Sequence, residues 1–495
     1  MSKTTQLDKN GKRKFGMWDK VAYAAGDFGC NMSFSLKGTV QTFWLVFMAM
    51  ETGLLSALLL LVQIWDAVND PLIGSLIDAD RRKYKMGKFK TYILIGAIGL
   101  LVAGALVFIP VPGAPVWIKA ILFILGYIVW DACYTIANVP YGSMLSLVTE
   151  DAGERAQLST WRSVGSMVGN ILPTVLLPML IWRKEVDANG NPIKNPETGV
   201  QVETLLGERV FWVALIMGVL GFIAFIFMIK KITIRVDENT VKTNESEKFN
   251  VIRAFASFMK NRPAVGATLA AMGRFLGMNS AVTANTIMFA TYFGQASMSG
   301  LIQLVGFLPM FVFMPFIKKL VNRFGKKEAS VAGTLVSLFG GLLMFVFPLI
   351  PNKTVAMWTY VGALGIFGFG MGIYTCVSWA LMADAIDYNE WKTGRREEGT
   401  VYSLHSFFRK LAQGVGPSIV LLVMGALGYV SDLGTQGQSA ATAYNMCWLV
   451  AGLYMVSAVL QFVGIALIYN LDKKTMAVMQ AELDERHAGA STDAE

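Results

Sequence analysis

The sequence predicts an all-α integral membrane protein with twelve transmembrane helices in two pseudo-symmetric halves of six. Three observations predict this fold. Of the 495 residues, 54% are hydrophobic and only 16% are charged, whereas soluble proteins are about 25% charged. Apolar runs long enough to cross a bilayer recur along the whole chain. Basic residues are concentrated in alternate loops between these runs. A soluble fold would need an unusually large core to bury so much apolar sequence.

Each predicted span contains roughly 20 mostly apolar residues. The spans lie near 18–48, 53–79, 90–110, 115–146, 156–182, 210–230, 264–294, 297–320, 328–350, 355–386, 399–430 and 442–470.

A polar stretch between the sixth and seventh spans divides the chain. The predicted organisation is an N-terminal half at 1–230, a cytoplasmic central loop at 231–262, a C-terminal half at 263–471 and a cytoplasmic tail at 472–495. Apolar residues from Phe249 to Phe258 recur at helical spacing, which predicts an interfacial amphipathic helix in the central loop.

The distribution of basic residues predicts the orientation. Most of the 43 Lys and Arg residues lie in loops that share one side of the membrane, so these loops and both termini are expected in the cytoplasm. The first span has no cleavage motif and is expected to stay in the membrane. The net charge of +9 then needs no nucleic acid partner. We expect a multi-pass protein of a bacterial inner membrane that contacts lipids and functions as a monomer.

Cysteine and histidine usage argues against metalloenzyme chemistry. The four cysteines all lie in apolar spans and have neither disulfide nor metal-ligand spacing. The two histidines, His405 and His487, are far apart in the sequence. No nucleophile–base pair, cofactor motif or soluble signalling domain is recognisable, so neither an enzyme nor a cofactor is predicted.

Charged residues inside the spans are the strongest functional signal. Each costs about 2.5–3.5 kcal/mol at the centre of a membrane helix on insertion scales, and such residues usually mark a substrate or ion pathway. The charged residues inside predicted spans include Asp27, Lys37, Asp66, Asp70, Asp131, Arg162, Arg274, Arg409 and Lys410.

Two of these acids have the spacing of a cation site. Asp66 and Asp70 lie four residues apart, so their carboxylates share one face of a helix. Two neighbouring carboxylates repel each other unless a cation or a proton lies between them. Asn69 offers a carbonyl oxygen, a ligand that hard ions prefer. This pattern predicts a site for Na⁺ or H⁺, although ion pairs of both acids with Lys37 or Arg162 would also explain their retention.

The two halves resemble each other in their basic loops. Residues 80–90 after the second span and 318–327 after the eighth span are both short, basic and contain glycine. Cytoplasmic loops are generally basic, so this similarity has a trivial explanation. The other explanation is a major-facilitator fold, in which two six-helix halves rock about a midplane site. The polar external loop at 185–208 has no assigned role.

Several motifs together resemble the glycoside–pentoside–hexuronide:cation symporter family, of which melibiose permease is a well-known member. The resemblance spans nearly the whole chain, with motifs in the same order and spacing. The motifs are WDAVNDP at 65–71, GKFK at 87–90, YTIANVPYGS at 134–143, ERAQL at 154–158 followed by Arg162, and ADAIDYNEWK at 383–392.

The resemblance implies a secondary active symporter that imports a glycoside, pentoside or hexuronide by alternating access, coupled to Na⁺ or H⁺. It places the cation at Asp66, Asp70 and Thr135, and the sugar at Asp27 and Arg162. Lys410 matches a basic residue near the cation site. Arg162 alternatively lies at the cytoplasmic end of its span and only reaches toward the membrane surface.

The chain departs from the family where the sugar is recognised. Asn138 replaces an acid of the melibiose carrier, and Gly142 replaces a tryptophan one turn later. Another family tryptophan falls near Thr375, with Trp379 as a substitute for stacking. These changes favour a larger substrate or one with its own negative charge. Trp65 and Tyr134 are further candidate contacts, although aromatic side chains in membrane helices more often only pack.

Asp131 lies two helical turns before Asn138, about 10 Å away along the same face. We expect it to face the cavity and to supply the negative group that Asn138 lacks. Alternatively, it pairs with Lys37 as a structural contact or lies near the outer interface.

Gating residues are predicted at the cytoplasmic end of the tenth span. Asp384 and Asp387 are expected to form ion pairs with basic residues of the other half when the inner side is closed. Arg395 belongs to the basic run that follows them.

Two other functions remain open from the sequence. Animal relatives of the family carry lysolipids, so a lysolipid carrier is the main alternative, although the charged midplane argues against it. A membrane enzyme or a sensor is the other.

Overall fold

The protein is described by a computed structural model that covers residues 12–80, 82–149, 151–236, 251–394 and 398–492. The described chain forms two compact units. The N-terminal unit contains 12–193, 202–236 and 430–437, and the C-terminal unit contains 194–201, 251–429 and 438–492 within the described ranges.

The N-terminal unit is built from seven helices and one two-stranded sheet within the described residues. Its elements are α1 (Met17–Phe34), α2 (Lys37–Thr42), α3 (Thr52–Ala79), α4 (Lys88–Leu106), α5 (Val116–Val148), α6 (Ala152–Ile181), β1 (Trp182–Lys184), β2 (Glu203–Leu205) and α7 (Gly207–Lys231).

The C-terminal unit is mostly helical in its described part. Its helices are α8 (Val251–Lys260), α9 (Arg262–Arg274), α10 (Ala281–Met288), α11 (Ser299–Phe313), α12 (Ile317–Phe324), α13 (Lys326–Met344), α14 (Lys353–Thr393), α15 (Glu398–Ala426), α16 (Ala440–Phe462) and α17 (Lys473–Thr492). The helical membrane fold predicted from the sequence is confirmed.

Ten helices in the described part of the chain are long and apolar enough to cross a membrane. The first and seventh predicted spans are instead interrupted. In the N-terminal unit, α1 and α2 are followed by a π-helical turn at Phe43–Phe47. In the C-terminal unit, π-helical turns at Phe275–Asn279 and Phe289–Phe293 flank α10. The first helical run of each half is therefore irregular, a feature that is frequent at functional sites. The count of twelve spans stays a prediction.

One local expectation needs correction. The predicted eighth span at 297–320 is divided, because α11 ends at Phe313 and α12 begins at Ile317. Pro315, which lacks a backbone N–H and hinders a continuous helix, lies in this break. The loop at 185–208, which the sequence predicts to be external, contains part of a hairpin in which Arg183 lies opposite Thr204 and Lys184 opposite Glu203. Such short strands give no period-two signal in the sequence.

The turn of this hairpin has an ordered acid. The backbone N–H groups of Asn191 and Asn189 each donate to Asp187 Oδ1 at 2.8 Å. These bonds favour the ionised carboxylate and lower the pKa of Asp187 below its ordinary value.

Glycines bring α1 and α6 close together. A β-carbon on Gly169 would lie 2.8 Å from the carbonyl oxygen of Phe28, and one on Gly165 would collide with the backbone of Ala24. Only glycine permits the two helix backbones to approach this closely. The contact places the middle of α1 directly against α6.

Candidate functional site

The close contact of α1 and α6 brings an acid and a base together. Arg162 Nε donates to Asp27 Oδ1 at 3.0 Å, and Asn31 Nδ2 donates to the other carboxylate oxygen at 3.0 Å. The Asp27 residue is only 5% exposed, whereas 37% of the Arg162 side chain is exposed. Asp27 thus fixes Arg162, and the exposed part of the guanidinium can donate hydrogen bonds to the hydroxyl or acid groups of a solute.

Polar and aromatic residues surround the Asp27–Arg162 pair. The guanidinium of Arg162 lies 5.1 Å from the centroid of the Tyr141 ring, which stacks on Tyr23 at 4.7 Å. Asn170 Nδ2 donates to Asn31 Oδ1 at 2.6 Å. The sequence analysis did not select Tyr23, Asn31 or Asn170. The only available signal was their helical spacing from Asp27 and Arg162, which is too common to be specific.

A second polar group connects α3 with α5. Thr135 Oγ1 donates to Asp70 Oδ1 at 2.8 Å. Asn69 Nδ2 donates to Thr135 Oγ1 at 2.9 Å and to Asp131 Oδ2 at 3.3 Å. Asp66 also interacts with Asp131. Spacings of three and four residues place these side chains on one face of each helix. We refer to Asp66, Asn69, Asp70, Asp131 and Thr135 as the acidic cluster.

Lys37 supplies a basic partner to the acidic cluster. It is the first residue of α2, and its Nζ lies 3.8 Å from Asp131 Oδ1. The ammonium group also lies 5.1 Å from the Phe34 ring centroid and 5.9 Å from that of Tyr127. Asp131 thus lies beside Lys37 and the other residues of the acidic cluster. Its described contacts do not include Asp27 or Arg162. Its expected role as a substrate ligand stays a prediction.

The chemistry of the acidic cluster suits a cation. It brings together the three acids Asp66, Asp70 and Asp131, and Asn69 Oδ1 is buried without a hydrogen-bond partner in the described structure. Among the described residues, no three Asp, Glu, His or Cys side chains converge as a metal-binding group. A Na⁺ ion here would therefore take carbonyl and hydroxyl oxygens together with carboxylates, as hard cations do.

The remaining substrate-binding candidates on α3 and α5 are Trp65, Tyr134 and Asn138, which are close in sequence to the acidic cluster. The Tyr134 ring lies 5.9 Å from that of Phe34, and Asn138 is half-buried one turn farther along α5. Trp65 Nε1 is buried without a hydrogen-bond partner among the described atoms. A β-carbon on Gly142 would meet nothing within 4 Å, so the position of the missing family tryptophan is open space.

The C-terminal unit contains two arginines beside aromatic rings. The guanidinium carbon of Arg274 lies 5.9 Å from the Phe275 ring centroid, and that of Arg409 lies 5.5 Å from the same centroid. Arg409 also lies 6.0 Å from the ring of Trp379, which is 53% exposed. Thr375 is half-buried one turn before Trp379, and Lys410 is half-buried next to Arg409.

The predicted gating acids lie near the end of α14. Asp384 Oδ1 accepts from Lys326 Nζ at 2.6 Å, and both residues belong to the C-terminal unit. The expected basic partner was in the other half, so the observed partner differs. The reason is local, because Lys326 begins α13, which packs against α14. Asp387 is half-buried, and Arg395 lies outside the described residues.

The loop after α3 has its own acidic centre. Asp80 accepts from the hydroxyls of Tyr84 at 2.5 Å and Tyr92 at 2.7 Å, and from the backbone N–H of Arg82 at 3.0 Å. These bonds, led by the Tyr84 hydroxyl, lower the pKa of Asp80 to about 2. Asp80 is therefore ionised at all physiological pH values.

Irregular helices, charged residues inside apolar helices and two helical units are features of secondary membrane transporters. A family model described as MFS/sugar transport protein matches residues 22–473. The chain therefore belongs to this family of sugar symporters in the major facilitator superfamily. The resemblance to the glycoside–pentoside–hexuronide symporters is confirmed, and so is the absence of an enzymatic function.

Individual relatives cover nearly the full chain. The isoprimeverose transporter of Lactiplantibacillus pentosus is 29% identical over 95% of this chain and 92% of its own. The glucuronide carrier protein homolog of Escherichia coli (strain K12) is 28% identical over 94% of this chain and 95% of its own. A crystal structure of a D-xylose–proton symporter has the same fold, with a TM-score of 0.59, 15% identity and coverage of 89% and 96%.

Proposed function

We propose that the protein imports a glycoside, pentoside or hexuronide together with Na⁺ or H⁺ by alternating access. One observation carries the proposal. The N-terminal unit contains a hydrogen-bonding acid–base pair, Asp27 and Arg162, and a separate acidic cluster, on helices that contact each other. The pair suits the hydroxyl groups of a sugar, and the cluster suits a cation.

The two groups are connected through α1, α2 and α5. Phe34 ends α1 and packs its ring on Tyr134 of α5, next to Thr135 of the acidic cluster. Lys37 follows one turn later and pairs with Asp131. A cation that reorganises the acidic cluster would therefore shift α1, which carries Asp27. Coupling between two such sites is reciprocal and typically amounts to about 1–3 kcal/mol.

The setting and partners belong to the same proposal. We propose a bacterial inner membrane with both termini in the cytoplasm, because the basic loops lie on one side of the predicted spans. The protein then works as a monomer in contact with membrane lipids. It needs no cofactor besides the coupling Na⁺ or H⁺.

Uptake by proteoliposomes tests the proposal. Purified protein is reconstituted, and accumulation of radiolabelled methyl β-D-glucoside and methyl β-D-glucuronide is measured under an imposed Na⁺ gradient or pH gradient. We expect one gradient to drive accumulation by the wild type. Asp70→Asn should abolish this accumulation and retain solute exchange without a gradient, because Asp27 and Arg162 are intact.

Asp187→Asn is the matched control, since Asp187 is an acid in the external hairpin. It should accumulate solute as the wild type does. Full gradient-driven accumulation by Asp70→Asn would refute the assignment of the acidic cluster. Transport of lysophosphatidylcholine without transport of either glycoside would favour the lysolipid carrier.

A further inference from the structure

We propose that the short helix α12 (Ile317–Phe324) lies on the surface of the bilayer and binds the headgroups of anionic phospholipids such as phosphatidylglycerol. The inference concerns how the membrane holds this part of the C-terminal unit, and it does not depend on which solute is transported.

The position of α12 in the chain places it at a membrane surface. The apolar span Ala296–Phe313 ends three residues before α12, and the span Lys326–Leu349 begins after a single intervening residue, Gly325. With eight residues, α12 is only about 12 Å long and cannot cross a bilayer of about 30 Å. The chain therefore leaves and re-enters the membrane on the same side, and α12 stays within a few residues of that surface.

The sequence of α12 divides into an apolar side and a basic side. Its apolar residues recur at the i, i+3, i+4, i+7 spacing that places side chains on one face of a helix. They are Ile317, Leu320, Val321 and Phe324. The intervening residues are Lys318, Lys319, Asn322 and Arg323. A helix with basic residues opposite apolar ones is typical of the membrane interface.

The protein leaves the apolar side of α12 uncovered. None of the residues of α12 is buried, and Phe324 is 50% exposed. The preceding Phe316 is 61% exposed. In α8, by contrast, Phe258 is only 2% exposed and stacks on Phe408. The apolar side of α12 therefore suits the acyl chains of the adjoining leaflet, which would remove it from water.

The basic side of α12 has no acidic partner among the described residues. The ion pairs of the described structure do not include Lys318, Lys319 or Arg323, and α12 contains no acid. All three side chains are exposed. Long basic side chains beside an apolar face extend their charged ends toward the lipid headgroups. The phosphate groups of anionic lipids supply the complementary charge at this depth.

The C-terminal end of α12 is held in place by the protein. Lys473 Nζ donates to the backbone oxygens of Asn322 and Arg323 at 3.0 Å each. Gly325 has a φ of +105°, and a β-carbon there would collide with the side chain of Glu328. The turn into α13 therefore requires glycine. These contacts fix the direction of α12 relative to α13, so its basic and apolar sides keep their orientation.

The test measures the lipid affinity of the purified full-length protein in detergent. Dihexanoylphosphatidylglycerol and dihexanoylphosphatidylcholine are titrated below their critical micelle concentrations, and binding is followed by microscale thermophoresis. The two lipids share their acyl chains and differ in headgroup charge. We expect the wild type to bind the phosphatidylglycerol about 25-fold more tightly, because one headgroup can contact two basic side chains that contribute about fivefold each. Glycerophosphoglycerol, the headgroup without acyl chains, should bind far more weakly than the lipid.

Variants locate the lipid on α12. Lys318→Gln/Lys319→Gln should remove most of the preference for phosphatidylglycerol, and Lys318→Arg/Lys319→Arg should retain it, because arginine keeps the charge. Phe324→Gln should weaken the binding of both lipids, since it removes exposed apolar surface. Lys83→Gln/Lys85→Gln changes two exposed lysines of the loop after α3 and is the matched control, which should keep the full preference. The changed side chains are exposed, so the melting temperatures should equal that of the wild type.

Three results would overturn the inference. The first is equal affinity of the wild type for the two lipids, or a full preference retained by Lys318→Gln/Lys319→Gln. The second is an equal loss in the Lys83→Gln/Lys85→Gln control, which would indicate a general attraction by positive charge. The third is binding of glycerophosphoglycerol as tight as that of the lipid, which would indicate a site for soluble phosphodiesters. None of these measurements uses transport, so the proposed function is tested separately.

Discussion

The two halves of the protein pair their buried charges differently. In the N-terminal unit, Asp27 is paired with Arg162 and Asp131 with Lys37, and Asp66 and Asp70 add further negative charge. In the C-terminal unit, Arg274 lies beside Arg409 without an acidic partner for Arg274 in the described structure. The described ion pairs of the N-terminal unit thus include Asp27 and Asp131, whereas those of the C-terminal unit do not include Arg274.

This difference bears on where the proposed cation binds. Excess charge inside a membrane protein is costly unless a ligand of opposite charge neutralises it. The acidic cluster of the N-terminal unit therefore suits the cation that we propose. The first helical run of each half is irregular and carries or adjoins these residues, which matches the use of interrupted helices for binding in transporters.

The largest effect is expected from a substitution that removes the basic partner of Asp131 in the N-terminal unit. Lys37→Met leaves the buried Asp131 without its basic partner, which typically costs about 3–5 kcal/mol of folding stability. We expect a clear fall in the melting temperature of the purified protein. The double variant Lys37→Met/Asp131→Asn should recover most of the loss, because no buried charge is left unpaired.

An equal loss in the single and double variants would show that Lys37 acts through its packing on Phe34 and Tyr127. If Asp131→Asn alone keeps the wild-type melting temperature and loses solute affinity, Asp131 is a substrate ligand, as the sequence analysis expected.

Asp27→Asn sharpens the comparison by removing the acid that fixes Arg162. The fold should persist, because Arg162 is partly exposed. Solute affinity should fall by about 1.5–3 kcal/mol, as expected for a hydrogen bond to a charged group. Titration calorimetry measures this change, and Asp187→Asn is again the control. An unaltered affinity in the folded variant would exclude Asp27 from the binding site.

Thr135→Val removes one hydroxyl from the acidic cluster. The donor of Asn69 and the acceptor Asp70 then lose a shared partner, which costs about 1–2 kcal/mol. We expect a weaker dependence of solute binding on the coupling cation. Thr135→Ser keeps the hydroxyl and should behave as the wild type. Identical cation dependence in the valine and serine variants would remove Thr135 from the cation site.

The smallest expected effect lies outside the membrane, at Asp80. Its depressed pKa means that its stabilising contribution is present above the ordinary pKa of an aspartate and is lost only as the pH falls toward about 2. Hydrogen exchange of residues 82–92 should therefore be equally protected at pH 7 and pH 5, after correction for intrinsic rates. Asp80→Asn should increase exchange in this loop only. A loss of protection between pH 7 and pH 5 would contradict the described hydrogen bonds.

The sequence predicted the helical spans and the shared face of Asp66 and Asp70. It did not predict the long-range contacts or the π-helical turns. Hydropathy located most spans, and the spacing of Asp66 and Asp70 predicted a shared helix face. The pairing of Asp27 with Arg162 joins residues 135 positions apart, so only family resemblance could suggest it. The π-helical turns change the backbone hydrogen bonds without changing the hydropathy pattern. The sequence analysis therefore did not predict them.

The partners of buried charges were the hardest to predict. The sequence suggested Lys37 only as one of several possible contacts for Asp131. The position of the Lys37 side chain depends on the break between α1 and α2, which the sequence did not predict. The sequence also favoured a partner for Asp384 in the other half, whereas Asp384 pairs with Lys326 at the start of α13. Arg274 and Arg409 were noted as charged, but their shared position beside Phe275 needed the structure.

We propose that the acidic cluster binds a cation that strengthens solute binding in the same protein. The most direct test measures the dissociation constant of the tighter-binding methyl glycoside by calorimetry, with Na⁺ varied at fixed pH and with pH varied without Na⁺. For the wild type, one of the two cations should tighten binding by about 5–150-fold, and Asp70→Asn should bind the solute with no such enhancement. A dissociation constant that responds to neither cation in the wild type, or an undiminished response in Asp70→Asn, would contradict the account.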